Sequence, residues 1–587
     1  MNLPELLLRR CAESPGKPFL TSLTAGSLRH RSYDDILADV QRWAAFLRQR
    51  GVTSGDRVGF IAAKCPEQVV AFYAIWWVGA IAVPISEAFA DLELGFVIRD
   101  CGPALLLTEA AFADKVRGAA GDVPVELFEV AWAHDGRQGE AACVPDEEVA
   151  ALVYTSGSTG MPKGVMLTHR NILANARSAL DRVRLGPGDN MMSLLPYWHS
   201  YGLVGEVIMS VMAGYRISIP KDKKDFARNI GSYQPTVVLV VPRIATVLMA
   251  GIQKKISEKP PRAQQFFAQA MRNARGALST ESAMGARLVR RVLHRLVYDP
   301  VLFRKVRVAF GGHLRFFMNG GAPLDVEVQV FFQSLGVPLY QGYGLTEATP
   351  IISASAEGLV RLGSCGTMLS WVTPAGGGDY TFRDEEGRLG KDLHGELLVR
   401  GDCVMKGYWR HRDDSAKTLE NGWLHTGDVG YVDADGYLYL DGRKSNMIVL
   451  FGGEKLHPEH VEDAIKGAPL VSEAMVFGDR CKNVYVAVNV DAEKYEALPE
   501  AARLETLRRQ VRERTEHLAP YQRPKDVVVL PEFTMDDGTL TATLKVRRHR
   551  VWAQHGDLLQ EFLRRNNEDP ETGAAMARSR SHGGGGA

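Results

Sequence analysis

One stretch of eleven residues constrains this 587-residue chain more than any other. Residues 154–164 read Tyr-Thr-Ser-Gly-Ser-Thr-Gly-Met-Pro-Lys-Gly, and apolar residues flank them at 149–153 and 165–167. A tight loop with four aliphatic hydroxyls, three glycines and one lysine can surround phosphate oxygens with backbone N–H groups, hydroxyl groups and a cation. The stretch therefore predicts a cradle for a triphosphate.

Two other interpretations of this stretch fit its residues less well. A flexible Gly/Ser linker shares the composition, but linkers are not flanked by apolar segments and do not usually contain Pro-Lys-Gly. The Walker P-loop requires Lys directly after its second Gly, followed by Ser or Thr. Here Met161 and Pro162 separate Gly160 from Lys163, and Gly164 follows. The stretch is therefore a phosphate loop of another kind.

Length and composition indicate a folded protein of several domains. The chain is too long for one hydrophobic core, and 45% apolar and 24% charged residues are ordinary for a soluble globular protein. A formal net charge of +1 argues against a nucleic-acid-binding protein that depends on global charge. The seven cysteines form no C-x-x-C pair and are odd in number, which favours reduced thiols in a cytoplasmic protein.

Helices and strands alternate along the first part of the chain. Apolar residues recur at helical spacing over 33–50, a strand is expected at 57–62, and a helix and a strand are expected at 67–79 and 80–85. Alternation of this kind predicts a parallel sheet with helices on its faces. Further strands of the same kind are expected at 105–108, 217–219 and 237–241.

The longest uncharged stretch of the chain, residues 69–85, has the composition of a membrane span but not the length. A bilayer requires about 20 residues, and Gly79 and Pro84 interrupt the far end of this stretch. The stretch therefore predicts a buried helix that leads into a buried strand.

The loop at 154–164 resembles the phosphate loop of the ANL superfamily of adenylate-forming enzymes, which comprises acyl- and aryl-CoA synthetases, nonribosomal adenylation domains and luciferases. Other stretches resemble motifs of this family in the family's order, over about residues 15–555. They are Leu-Pro-Tyr-Trp-His-Ser-Tyr-Gly at 195–202, Asn-Gly-Gly-Ala-Pro at 319–323, Tyr-Gln-Gly-Tyr-Gly-Leu-Thr-Glu at 340–347, Gly-Trp-Leu-His-Thr-Gly-Asp at 422–428 and Leu-Thr-Ala-Thr-Leu-Lys-Val-Arg-Arg at 540–548.

The resemblance implies an α/β protein with two unequal parts. Residues 1–442 are expected to form an AMP-binding domain of two doubly wound α/β subdomains and a small β subdomain. Residues 443–446 are expected to form a hinge and 447–565 a small, mobile α/β domain. The tail at 566–587 is rich in Ser, Arg and Gly, which predicts disorder.

The resemblance also implies a site for ATP and Mg²⁺. Tyr343 is expected to stack on adenine, Thr346 to contact phosphate, Asp428 to bind the ribose hydroxyls with help from Arg443, and Glu347 to bind Mg²⁺. A carboxylate and phosphate oxygens are the ligands that a hard divalent ion prefers. The remaining residues implied for the nucleotide are Thr155, Ser156, Gly157, Ser158, Thr159, Gly160 and Lys163 in the loop, and Gly321, Ala322, Pro323, Gln341, Gly342 and Gly344 near the base.

Three further features carry the chemistry that the resemblance implies. His199 is expected near the acyl carboxylate and the phosphates, although a histidine among aromatic residues is commonly a packed core residue. Lys545 is the candidate for a mobile catalytic lysine. Gly452 and Gly453 are expected to line a tunnel for pantetheine, or else form a plain hairpin turn. Ser445 stands where family members hinge, usually at Asp or Lys.

These features together imply two half-reactions. A carboxylic acid, preferably a fatty acid, attacks ATP to give an acyl-adenylate, and the thiol of CoA then accepts the acyl group. The phosphopantetheine arm of an acyl carrier protein is an alternative acceptor. A homologue that binds nucleotide without catalysis is a second alternative, which the presence of Glu347, Asp428, Arg443 and Lys545 disfavours. No feature favours monooxygenation of the luciferase kind.

A strongly basic segment occupies residues 253–307, placed as in the long-chain fatty-acid members of the superfamily. It contains thirteen Lys or Arg and three acids, a local balance of +10 in a chain whose total is +1. A solvated helical face would explain this balance. Attraction to an anionic membrane surface, an acidic carrier protein or the phosphates of CoA would explain it equally well.

Overall fold

The computed structural model of the protein describes residues 1–24, 27–136, 139–155, 161–278, 284–541 and 545–568. Within these ranges the chain forms five β-sheets and a layer of helices around them. Three sheets belong to the part that ends at Arg443, and two belong to the part that follows. The predicted α/β class is confirmed, with a large N-terminal part and a smaller C-terminal one.

The first sheet carries the phosphate loop. Its five leading strands are parallel, and the sixth returns antiparallel to the fifth. Helices follow its strands at Pro66–Trp77, Asp91–Cys101 and Ala113–Ala120. The strand order is Val125–Leu127, Leu105–Thr108, Arg57–Ile61, Ile81–Pro84, Val149–Thr155 and Lys163–Thr168.

The second sheet has nine strands. Its six central strands are parallel, and antiparallel strands extend both of its ends. Four helices occur along the chain among the strands of this sheet: Tyr33–Gln49, His169–Val183, Lys223–Tyr233 and Val326–Ser334. The strand order is Thr367–Met368, Ile351–Ala354, Leu339–Gly344, Phe316–Asn319, Val237–Val240, Asn190–Met192, Arg216–Ile219, Pro18–Thr24 and Ser27–Ser32.

A small antiparallel sheet completes the N-terminal part. Its strand Trp423–Val432 is central and pairs with three neighbours. Asn171 ties this sheet to the start of the helix His169–Val183, because its amide donates to the carbonyl oxygens of Asp402 and Val404. The other strands are Asp379–Arg383, Leu389–Gly390, Gly395–Arg400, Leu419–Glu420 and Leu438–Arg443.

The C-terminal part packs hydrophobic clusters of its own, which draw only on residues from Ile448 onward. It contains a two-stranded hairpin, a three-stranded sheet and three long helices. The ordered chain passes the predicted start of the tail, because the buried carboxylate of Glu568 accepts hydrogen bonds from the Lys482 amide and the Tyr485 hydroxyl. The elements are Ile448–Val449, Lys455–Leu456, Pro458–Lys466, Val471–Phe477, Tyr485–Val490, Glu500–Thr515, Val527–Val529 and Arg548–Arg565.

Helices also form the segment that follows strand Val237–Val240. They run over Pro242–Ser257, Pro261–Leu278 and Met284–Leu293, and a π-helix continues the last of them over His294–Phe303. No helix in the described ranges is long and apolar enough to cross a bilayer. No disulfide joins the seven cysteines, all of which lie in those ranges.

The uncharged stretch 69–85 is buried, as predicted. Residues 69–77 of the helix Pro66–Trp77 are all buried, and the strand Ile81–Pro84 lies inside the first sheet. The indole N–H of Trp76 donates to the carbonyl oxygen of Ala150 over 2.8 Å. This bond holds the helix against the strand that leads into the phosphate loop.

We expect Trp76→Ala to destabilise the N-terminal part by about 3–5 kcal/mol, because it removes a fully buried indole and leaves a cavity. Urea unfolding followed by circular dichroism would measure the loss. Trp423→Ala, at a half-buried position on the small sheet, should lose less than half as much. Equal losses in the two variants would contradict this account of the core.

Candidate active site

A cleft of about 3360 Å³ lies between the carboxyl ends of the nine-stranded sheet, the small sheet and the C-terminal part. It brings together fifteen of the residues that the sequence singles out. They are Thr155, Lys163, His199, Gly321, Ala322, Pro323, Gln341, Gly342, Tyr343, Gly344, Thr346, Glu347, Asp428, Arg443 and Lys545.

The phosphate loop connects the last two strands of the first sheet. Thr155 and Lys163 lie opposite each other in the antiparallel pair, and both line the cleft. The ammonium group of Lys163 lies 2.6 Å from a carboxylate oxygen of Asp414. The predicted residues Ser156, Gly157, Ser158, Thr159 and Gly160 lie outside the described part of the chain.

Glu347 stands beside this lysine, joined to it through an aromatic residue. The Tyr408 hydroxyl donates to Oε1 of Glu347 over 2.8 Å, and the Lys163 ammonium lies 5.4 Å from the centre of the Tyr408 ring. Among the described residues no group of three or more His, Cys, Asp or Glu side chains could hold a metal by itself. A lone carboxylate suits Mg²⁺ that arrives with a nucleotide, because phosphates and water supply the other ligands.

Two glycine-containing turns form one wall of the cleft. The Asn319 amide donates to Oε1 of Gln341 over 2.6 Å, which couples the ends of two neighbouring parallel strands. Gly321 has φ +84°, a conformation that favours glycine. At Gly344 a side chain would collide with the carbonyl oxygen of Pro350. Both positions therefore favour glycine, and both line the cleft.

A carboxylate, a phenol and a guanidinium meet at the edge of the small sheet. The Tyr343 hydroxyl donates to Oδ2 of Asp428 over 2.7 Å, and Nε of Arg443 lies 2.9 Å from Oδ1. The carboxylate of Asp428 balances the positive charge of Arg443 and is the chief cause of the raised pKa of that guanidinium. Burial and Asp428 also raise the pKa of the Tyr343 hydroxyl, which remains protonated.

A β-bulge places Arg443 opposite Asp428. Towards the turn, Tyr431 pairs with Tyr439, while beyond the irregularity between Val429 and Gly430 the register shifts by one residue. With an unbroken register, Asp428 would face Gly442 instead of Arg443. Bulges commonly redirect side chains in this way next to active sites.

Lys545 reaches the cleft from the C-terminal part. Its backbone N–H donates to the Thr541 hydroxyl over 2.9 Å. Its side chain touches solvent within the cleft, yet the surrounding protein removes it from bulk water and lowers its pKa to about 8. The positive charge of Arg443 lowers this pKa further, and Asp428 and Glu459 act in the opposite direction.

His199 also lines the cleft. Burial, and to a smaller degree the charge of Lys545, lower the pKa of its imidazole to about 4, so the ring is neutral near pH 7. Nδ1 accepts the backbone N–H of Tyr201 over 3.1 Å, which leaves the proton on Nε2. The next residue, Ser200, hydrogen-bonds the buried hydroxyl of Thr346 over 3.1 Å.

Gly452 and Gly453 are not among the residues that line the cleft. They form the turn between strands Ile448–Val449 and Lys455–Leu456, where the Gly453 N–H donates to the carbonyl oxygen of Leu450. In this structure they therefore have the hairpin role that the sequence left open. The predicted hinge begins at Arg443 and continues as a short 3₁₀ turn over Lys444–Asn446.

Sequence reasoning missed a buried network that supports the His199 segment. The carboxylate of Glu206 is fully buried and lies 2.6 Å from the ammonium group of Lys64. Its Oε1 accepts the backbone N–H groups of Leu194 and Leu195, each over 3.0 Å. Its partners are 11 to 142 residues away along the chain, and no motif marks either charge.

Three ion pairs between described residues join the N-terminal and C-terminal parts, and one of them joins Lys455 to Glu385. Arg547, two residues after Lys545, lies 2.9 Å from the carboxylate of Glu93, and both side chains are largely buried. Arg514 lies 3.2 Å from Asp325. These pairs hold the C-terminal part in the position that directs Lys545 into the cleft.

We expect Glu206→Leu to lower the free energy of unfolding by about 3–5 kcal/mol, because it leaves the Lys64 ammonium buried without its carboxylate. The double variant Lys64→Met/Glu206→Leu should recover part of this loss. The backbone N–H groups of Leu194 and Leu195 lose their acceptor in both variants, so recovery should be incomplete. Urea unfolding measures all three values; a double variant no more stable than the single one would mean that the charge pair is not the cause.

Known proteins resemble this chain over most of its length. Long-chain-fatty-acid–CoA ligase FadD15 of Mycobacterium bovis is 29% identical over 543 residues, which cover 85% of this chain and 87% of that protein. The long-chain-fatty-acid–[acyl-carrier-protein] ligase AEE15 of Arabidopsis thaliana, a chloroplastic protein, is 28% identical over 472 residues, 73% of this chain and 63% of that protein.

The fold is shared with a solved structure. O-succinylbenzoate coenzyme A synthetase (MenE) from Bacillus subtilis, in complex with ATP and magnesium ion, has a TM-score of 0.71 and 23% identity, over 92% of this chain and 98% of that one. The sequence profile of the AMP-binding enzyme matches residues 7–409, and that of the AMP-binding enzyme C-terminal domain matches residues 445–567. The chain therefore belongs to the AMP-binding enzyme family.

Proposed function

We propose that the protein uses ATP to activate a fatty acid as its acyl-adenylate and then transfers the acyl group to the thiol of CoA. One observation carries this proposal: Lys545 of the C-terminal part shares a cleft with Glu347, His199 and the Asp428–Arg443 pair of the N-terminal part. The cleft is thus lined by the Lys545 ammonium group, a neutral histidine and the carboxylates of Glu347 and Asp428.

The first half-reaction joins two anions, so the site must reduce their repulsion. A carboxylate oxygen of the acid attacks the α-phosphorus of ATP, and the bond from that phosphorus to the oxygen bridging to the β-phosphate breaks as pyrophosphate leaves. Lys163 and the adjacent hydroxyls are suited to hold the leaving phosphates. Lys545 is suited to bridge the carboxylate and the α-phosphate.

The residues at the small sheet would hold the nucleoside. Oδ2 of Asp428 accepts a hydrogen bond from the Tyr343 hydroxyl, and Oδ1 forms an ion pair with the Arg443 guanidinium. These two contacts fix the orientation of the carboxylate. A fixed carboxylate with two acceptor oxygens suits the vicinal hydroxyls of a ribose. Glu347 would hold Mg²⁺, which supplies charge neutralisation to the phosphates when it is bound with ATP.

The neutral His199 has a role that differs from that of the lysines. With its proton on Nε2, the imidazole can donate a hydrogen bond to an oxygen of the bound acid or of a phosphate without adding charge. Its link through Ser200 to Thr346 connects this segment to the motif that ends at Glu347. One hydrogen-bonded unit therefore spans the proposed acid and phosphate positions.

The second half-reaction requires Lys545 to leave and a thiol to arrive. Rotation of the C-terminal part about residues 443–446 would withdraw the lysine and could bring Gly452 and Gly453 to the cleft. The thiol of CoA loses its proton to solvent, and its sulfur attacks the acyl carbonyl carbon of the mixed anhydride. The bond from that carbon to the phosphate oxygen then breaks, and AMP leaves. Breaking the Arg547–Glu93 and Arg514–Asp325 ion pairs would be part of this rotation.

A fatty acid is the proposed substrate because of the apolar side chains that line the cleft near His199. Ala179 and Val183 lie on the helix His169–Val183. Three strands of the nine-stranded sheet contribute Met191, Leu239, Phe316 and Met318. Such a lining suits an aliphatic chain. The names of the relatives FadD15 and AEE15 also refer to long-chain fatty acids.

The acceptor is proposed as CoA, with the carrier-protein arm as the second candidate. Relatives at similar identity carry both names, CoA ligase for FadD15 and acyl-carrier-protein ligase for AEE15. Both acceptors present the same pantetheine thiol, so they require the same chemistry at the cleft. They differ in what surrounds the arm, a nucleotide in one case and an acidic protein in the other.

The proposed role of Lys545 gives a defined dependence on pH. The lysine acts as a cation, so kcat/KM for ATP in pyrophosphate release should be maintained below its pKa of about 8 and fall above it. Lys545→Arg keeps its charge at high pH and should lose this alkaline limb, at a lower rate. An unchanged limb in Lys545→Arg would assign it to another group.

The size of the lysine's effect is a second readout of the same experiment. Lys545→Ala should slow acid-dependent pyrophosphate release by about 10²- to 10³-fold, as expected when one electrostatic partner of the transition state is removed. Circular dichroism would establish that the variant is folded. A folded Lys545→Ala variant with an unchanged rate would refute the role.

Substrate and acceptor can be determined in one set of incubations. The enzyme, ATP and acids from acetate to stearate would be combined with CoA or with a phosphopantetheinylated acyl carrier protein, and the products weighed by mass spectrometry. We expect long-chain acyl-CoA as the main product. Acyl carrier protein as the only acylated acceptor would favour the second candidate, and pyrophosphate release without any fatty acid product would refute the proposed substrate.

A further inference from the structure

An apolar stripe lies exposed on the basic segment 253–307. It runs along the helix Met284–Leu293 and the π-helix His294–Phe303 that continues it. Its side chains are between 38% and 70% exposed, although all are Leu or Val. The outer stripe, as we name it, consists of Leu288, Val289, Val292, Leu293, Leu296, Val297 and Val301.

The outer stripe follows helical spacing and points away from the protein. The opposite side of the same helices packs inward: Tyr298 is buried against the ring of Phe266, with 5.3 Å between ring centres, and His294 stacks on the buried Phe303. The Asn273 amide donates to the backbone carbonyl of Arg290 over 2.9 Å. The helices are therefore anchored on one side and leave an apolar face on the other.

Basic residues accompany the outer stripe. In the sequence, Arg287, Arg291 and Arg295 follow one another at intervals of four, one position before Leu288, Val292 and Leu296. Arg304 and Lys305 are exposed just beyond it. No acid occurs in the sequence between Glu281 and Asp299, and the carboxylate of Asp299 is bound by Arg307.

We propose that the outer stripe docks the protein on the surface of an anionic lipid bilayer, with its helices lying in the plane of the membrane. An exposed apolar face on a segment rich in Lys and Arg is the pattern of a helix that inserts its apolar side chains at the boundary of headgroups and acyl chains. Anionic headgroups attract the arginines. An acidic soluble partner would satisfy the arginines but would not account for seven exposed Leu and Val side chains.

The position of the stripe has a consequence for substrate supply, which rests on the proposed function. The helix Pro242–Ser257 leads into the same segment and lines the cleft with Ile244, Leu248 and Met249. A bilayer that holds a fatty acid would thus contact the structural unit that forms part of the proposed acyl site. Binding to the bilayer itself does not depend on catalysis.

Vesicle sedimentation tests the docking surface directly. The full chain would be mixed with vesicles of phosphatidylcholine alone or with phosphatidylglycerol, and the bound fraction measured. We expect binding to the anionic vesicles that weakens at high salt, and weak binding to the neutral ones. The double variant Leu288→Asp/Leu296→Asp should bind anionic vesicles about tenfold or more weakly, a difference of about 1.4 kcal/mol or more.

A matched control separates the stripe from a general effect of added charge. Leu389→Asp/Leu558→Asp introduces the same two charges at exposed leucines on the small sheet and the C-terminal helix, and it should bind like the wild type. Pyrophosphate release with a water-soluble acid should be unchanged in both double variants, which keeps failure of docking distinct from failure of the proposed function.

Three results would overturn the proposal. The wild type could fail to bind anionic vesicles. The stripe variant and the control variant could bind them equally well. The wild type could fail to bind vesicles but bind an acyl carrier protein, or self-associate in sedimentation velocity, while the stripe variant does neither. The stripe would then be covered by a protein instead of a membrane.

Discussion

The arrangement of the cleft depends on pairing its cations with carboxylates. Lys163 lies against Asp414, Arg443 against Asp428 and Lys64 against Glu206. A buried charge without such a partner would be costly. Lys545 differs: burial lowers its pKa most, and the charged group with the largest further effect is the positive Arg443. An anion that enters between Lys545 and Arg443 would relieve repulsion, so the cleft gains stability when the kind of ligand proposed here is bound.

Short-range patterns in the sequence predicted the elements well, because each pattern reports on a local physical preference. The uncharged stretch 69–85 is a buried helix and strand, and the alternation of elements gives parallel sheets as expected. The motifs around Tyr343, Asp428 and Lys545 meet in one cleft. Their chemical roles remain predictions. The Glu206–Lys64 network and the Tyr408–Glu347 bond could not be predicted, because their partners are distant in sequence and belong to no local pattern.

The structure places Lys545 and the Gly452–Gly453 turn in different surroundings, a difference that the sequence does not reveal. Lys545 lies in the cleft, whereas Gly452 and Gly453 occupy a turn outside its lining. The two proposed half-reactions need these groups at one place in succession, so a single rigid arrangement could not serve both. Among the described residues only three ion pairs lie at the contact between the parts: Arg547–Glu93, Arg514–Asp325 and Lys455–Glu385. So small a number permits exchange between two arrangements at a modest cost in free energy.

The β-bulge before Arg443 makes the hairpin around Tyr431 and Tyr439 sensitive to length. Side chains on a strand alternate between the two faces of its sheet, so a change of one residue in register turns each of them over. Insertion of one residue between Leu440 and Gly442, with the bulge kept at its present size, would place Gly442 opposite Asp428. Substitutions in this hairpin can be absorbed by local repacking, but such an insertion cannot. The spacing of the strand is therefore as much a part of the site as its side chains.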